Sequence, residues 1–115
     1  MQTDASPRLA AMPAPDLIAS YWTISGDVYP GAPTEVSPFP FRDRCAAAAA
    51  AGFTGVGLVH QDIEAVKAEI GLPEMRRILD GHGLVHVEVE FLQHWWEDGE
   101  RGAASAAVRR DLLDA

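Results

Sequence analysis

Leu84-Val85-His86-Val87-Glu88-Val89-Glu90-Phe91-Leu92 is the stretch that decides the fold. Val85, Val87, Val89 and Phe91 fall on one side of an extended chain, and His86, Glu88 and Glu90 fall on the other. This is the period-2 alternation of a β-strand, with β-branched residues on the apolar side as strands prefer. The polar side is the unusual one. Two carboxylates two residues apart on one strand face repel each other unless solvent, a cationic side chain or a metal ion neutralises them. The plain reading is a solvated sheet face, and the flanking elements weigh against it.

Upstream, Gly81-His82-Gly83 reads as the stop of a helix over Glu74 to Gly81, with Pro73 in its first turn and Met75, Ile78 and Leu79 as its apolar stripe. Asp62 is placed to N-cap a short helix that ends at Gly71. Before it, Thr54 to Val59 reads as a second strand, with Gly55 and Gly57 on one face, where a neighbour or ligand can approach closely. A helix begins at Pro40, carries Phe41, Cys45, Ala48 and Phe53 as apolar positions, runs through Ala46 to Ala51 and meets its C-terminal cap at Gly52. Ser25 to Phe39, crowded with Gly26, Gly31, Pro30, Pro33 and Pro38, is irregular and long enough to be either a binding loop or a plain connector. Leu17 to Ile24 is apolar almost throughout and reads as a first, buried strand. Residues 1–15, rich in Ala and Pro, read as a disordered leader, and residues 16–115 as the folded part. Downstream, His94 to Gly99 is a loop, and Ala103 to Ala115 is a helix with Ala107, Val108 and Leu112 turned inward.

Strand, helix, strand, helix, strand, helix is the order of an α/β fold with parallel strands joined by right-handed crossovers. The last residues, Leu112-Leu113-Asp114-Ala115, carry neither a cap nor a following strand, so the chain reads as cut off inside a helix. The 115 residues make one small domain with a formal net charge of −8. That charge, with scattered Lys and Arg, argues against a nucleic-acid surface. Cys45 is the single cysteine and reads as a small buried residue in an Ala-rich helix. No stretch approaches the roughly 18 apolar residues of a membrane span, and the N-terminus lacks a signal pattern, so a cytoplasmic location is expected.

Arg42 to Ala46, continued through Gly52-Phe53-Thr54-Gly55-Val56-Gly57-Leu58, resembles the first helix and second strand of the xylose-isomerase-like sugar phosphate isomerases and epimerases. His82 to Glu90 resembles the turn into that family's third strand. The resemblance covers about residues 17–115. It implies the first three βα units of a (βα)8 TIM barrel, with helices outside and the chain truncated. It further implies that His86, Glu88 and Glu90 face the barrel axis while Val87, Val89 and Phe91 face the helices. Family members often carry Glu in the second strand where this chain has Gly57. The activity implied is metal-assisted proton transfer on a small sugar or polyol ketone. The divalent metal would sit on later strands, so no metal ligand is assigned to this chain, which alone is expected to be inactive.

Barrel enzymes do their chemistry at the C-terminal ends of the strands. Glu90 is the candidate catalytic residue there, and Trp22, His60, His94 and Trp95 are the candidate substrate contacts. Aromatic walls with a few polar groups suit sugar-like ligands. Trp95 and Trp96 cannot both face one pocket, so one of them is expected to pack on a helix. Two rivals remain: a metal-dependent endonuclease for damaged DNA, which shares the barrel and is disfavoured by the acidic charge, and a non-catalytic α/β module that binds a partner through open strand edges. Those edges also predict self-association.

Overall fold

The computed structural model describes residues 12–115. The reading of residues 1–15 as a leader therefore lies mostly outside the described residues. Three strands, β1 (Ile18–Ala19), β2 (Gly55–Val59) and β3 (His86–Glu90), form a parallel sheet in the order β1-β2-β3. The helices are α1 (Tyr21–Ile24), α2 (Phe41–Ala50), α3 (His60–Ile70), α4 (Leu72–Gly81) and α5 (Gly99–Asp114). This is the expected α/β alternation, compatible with part of a βα barrel.

The core lies between the sheet and the helices. Val56 and Leu58 of β2 meet Phe41, Cys45 and Ala48 of α2, Ile63 and Val66 of α3, and Met75, Ile78 and Leu79 of α4. Every residue of β2 is buried, because β2 is the central strand. In register, Gly55, Gly57 and Val59 stand opposite His86, Glu88 and Glu90, while Val56 and Leu58 stand opposite Val87 and Val89. The two glycines are explained by their neighbours. A Cβ on Gly57 would lie 2.9 Å from the Tyr21 backbone nitrogen, and one on Gly55 would lie 2.6 Å from both the Cβ and the carbonyl oxygen of His86. Backbone, and not ligand, fills the space beside both glycines.

Four expectations need correction. Leu17 to Ile24 is not one long strand: β1 ends at Ala19, and Tyr21 begins a helical turn, with the Thr23 amide donating to the Ser20 carbonyl at 2.9 Å. A continuous apolar run suits a buried helical turn as well as a buried strand, so periodicity could not separate them. Asp62 is not an N-cap, because α3 starts two residues earlier, at His60, and the Asp62 carboxylate turns into the protein. Val85, Val89 and Phe91 do not share a buried face with Val87. Val85 precedes the strand and is exposed, Val89 and Phe91 are more than a third exposed, and Val87 alone packs on the core. The reason is that β3 is an edge strand and α5 packs beside α3. Neither Trp95 nor Trp96 is packed on a helix; they are 69% and 65% exposed and meet each other edge to face, with ring centroids 5.6 Å apart.

Candidate functional site

The loop from Ser25 to Pro40 is drawn over the C-terminal ends of the strands by side chains from three helices. Tyr21 Oη donates to the Glu35 carbonyl, and the Glu35 amide donates to Gln61 Oε1. Asp62 Oδ1 accepts the Ser37 amide at 3.0 Å, and Arg44 Nε donates to the Phe39 carbonyl at 3.2 Å. Beneath the loop, Arg44 Nη1 donates to Asp62 Oδ2 at 2.8 Å and Nη2 to Oδ1 at 3.3 Å; both side chains are almost wholly buried. The guanidinium also lies 5.9 Å from the Tyr21 ring centre and 5.4 Å from that of Phe41. Burial, and then the Asp62 charge, push the Tyr21 phenol above its ordinary range. Gly26, at φ 82°, makes the turn into the loop with the Phe39 ring packed where a Cβ would stand.

This anchored loop forms one wall of a cleft of about 290 Å³. Glu35 lines it from the loop, His60 and Gln61 from the start of α3, Phe91, Gln93 and His94 from the segment after β3, and Arg101 and Ser105 from α5. His60 is the first residue of α3, immediately after β2, so the strand's end fixes its position. Its Nε2 lies 2.9 Å from Asp111 Oδ2, and this contact holds the Asp111 carboxyl below its ordinary range. His94 has a left-handed backbone, φ 57°, and its Nδ1 contacts Glu97 Oε2. Glu97 Oε1 also lies 3.4 Å from Arg101 Nη1.

The five sequence candidates divide into three places. His60 and His94 line the cleft. Trp22 and Glu90 form a separate pair: Trp22 Nε1 donates to Glu90 Oε1 at 3.0 Å, and the Trp22 ring meets Tyr21 edge to face. Glu90 directly precedes Phe91, whose side chain lines the cleft. Trp95 points away, exposed beside Trp96. Glu35, Gln61, Gln93, Arg101 and Asp111 escaped the sequence reading. The irregular Ser25 to Phe39 segment was the signal for Glu35, but nothing local signals that Asp111 meets His60 from 51 residues away.

No family model matches the chain, and no curated protein or solved structure is significantly similar to it. Among the described residues, no helix is long and apolar enough to cross a membrane.

Proposed function

We propose that the chain forms the first three βα units of a barrel similar to the xylose-isomerase-like sugar phosphate isomerases and epimerases, and that its strand-end cleft takes a small sugar or polyol ketone for proton transfer beside the carbonyl. The lining of the cleft carries this reading: two imidazoles, His60 and His94, a carboxylate, Glu35, two amides, Gln61 and Gln93, and the guanidinium of Arg101. The amides and imidazoles match hydroxyl groups, the guanidinium matches a phosphate, and carboxylates and imidazoles are the usual groups of general acid–base catalysis. Glu90, at the end of β3, is the proposed acid–base residue by the family resemblance; it stands outside the cleft lining, next in the chain to the cleft-lining Phe91, and Trp22 orients it through the 3.0 Å indole hydrogen bond.

In the family, a divalent cation polarises the substrate oxygens. The sheet-face acids do not fit that role in this chain. Glu88 is exposed, Glu90 is held by Trp22, and among the described residues neither gathers with other metal-ligating groups. A reaction chamber enclosed by only three strands is open, so these 115 residues alone are expected to bind ligand without turning it over.

The test is a titration with ketopentoses and ketohexoses, free and phosphorylated, followed by the ring resonances of His60 and His94. Saturable shifts of these two rings, with His82 unmoved, are expected. Shifts of neither ring at millimolar ligand would remove the reading. A second reading, a non-catalytic binding module, is favoured by the exposed Val85, Trp95 and Trp96 near the β3 edge. It predicts a monodisperse, cooperatively folded chain with no response to any sugar. The endonuclease alternative still faces the net charge of −8. Binding to a duplex oligonucleotide at low salt would revive it.

A further inference from the structure

A second cluster of chemically active side chains stands on the helices beside the cleft. His60 and Glu64 are one turn apart on α3, and Asp111 faces them from α5. One ligand atom from each, an imidazole nitrogen and two carboxylate oxygens, lies within 4.8 Å of the others. All three residues are partly buried. We propose that His60, Glu64 and Asp111 bind a divalent transition-metal cation of the zinc class and thereby clamp α5 onto α3.

Three lines of chemistry support this. One nitrogen and two oxygens are the donors that zinc accepts, at about 2.0–2.2 Å, which places such atoms up to about 4 Å apart. Small rotations of the two carboxylates bring the observed spacing into that range. The Asp111 carboxylate already stands 2.9 Å from His60 Nε2, so the two ligand atoms meet across the α3–α5 seam. Finally, α5 is weakly held: of its sixteen residues, Ser105 alone is buried, so a cross-link to α3 has a structural effect to exert. Lys67 contacts Glu64 Oε2 at 2.6 Å and is the competitor that a bound cation displaces. The inference shares His60 with the proposed sugar site but needs neither the cleft's ligand nor further strands, and loss of Co²⁺ binding would leave the sugar response of His94 as it is.

The test uses the untagged 115-residue chain and Co²⁺ as a spectroscopic probe, with Zn²⁺ competing. One equivalent of Co²⁺ is expected to bind, with visible absorption that Zn²⁺ abolishes. Glu64→Gln and Asp111→Asn should each weaken binding about tenfold or more. His82→Ala, in a residue outside the cluster, should not. Zn²⁺ should also shift the ring resonances of His60 while leaving His82 in place, a readout on the unmodified chain that does not depend on any variant folding. Absence of stoichiometric Co²⁺ binding, unchanged affinity in both carboxylate variants, or Zn²⁺ shifts at His82 in place of His60 would each overturn the proposal.

Discussion

At the scale of single residues, Asp62 has the largest consequence. Its buried carboxylate answers the guanidinium of Arg44 and the amide of Ser37, so removing it leaves a buried positive charge and an orphaned amide. Asp62→Ala should destabilise the fold by about 3–5 kcal/mol in urea unfolding, whereas replacing both partners with apolar residues should cost far less. A double-mutant cycle with no coupling between Arg44 and Asp62 would contradict this. Cys45 supplies a pH prediction. Burial pushes its thiol up to about 11 from an ordinary 9.0, and Tyr21 shifts in the same direction. The folded state thus keeps protons that the unfolded state loses. The associated stability is full below pH 9.0 and is lost as the pH rises through about 11. Urea midpoints should fall over that window, and less steeply in Cys45→Ala. An aromatic disulfide reagent at neutral pH should leave Cys45 unmodified until urea unfolds the chain. The buried cysteine was legible from its Ala-rich helix. The role of Asp62 was not, because a helix-start aspartate looks the same in sequence whether it caps its own helix or pairs with an arginine 18 residues away.

At the scale of elements, the irregular loop and the shortness of β1 belong together. Because β1 ends at Ala19, Tyr21 can turn its hydroxyl to the Glu35 carbonyl and fasten the loop over the cleft. Tyr21→Phe should cost about 0.5–1.5 kcal/mol. It should also speed hydrogen exchange at Gly31 and Glu35, with the exchange in β2 unchanged. Equal acceleration in β2 would mean that Tyr21 supports the core and not the loop. Gly57→Ala should destabilise by about 1–3 kcal/mol, since its Cβ meets backbone that cannot swing aside. The helices α2, α3 and α4 were legible, because alanine content, Gly52, Gly71 and Pro73 mark their ends. The break inside Leu17 to Ile24 was not, since it is set by contacts with Arg44 and Glu90 that lie far along the chain.

At the scale of the whole molecule, the parallel order of three strands was legible from the alternation of strand and helix, while the cleft lining was only half so. His60 follows β2 directly and His94 lies in the loop after β3, but Glu35 and Arg101 arrive by tertiary packing. Among the described residues, β3 has an unpaired edge, and Val85, Trp95, Trp96 and Leu113 are exposed. The isolated chain should therefore self-associate through its open edge. A chain that sediments as a monomer at every concentration tested would contradict this. The central claim, proton transfer on a small sugar or polyol ketone, is tested most directly by following solvent deuterium into free and phosphorylated ketoses in the presence of the protein as its own cells make it. The account predicts deuterium at the carbon beside the carbonyl, slowed by about 100-fold or more in Glu90→Gln. Folded protein that exchanges no deuterium into any of these ketoses, or a Glu90→Gln variant as fast as the parent, would contradict it.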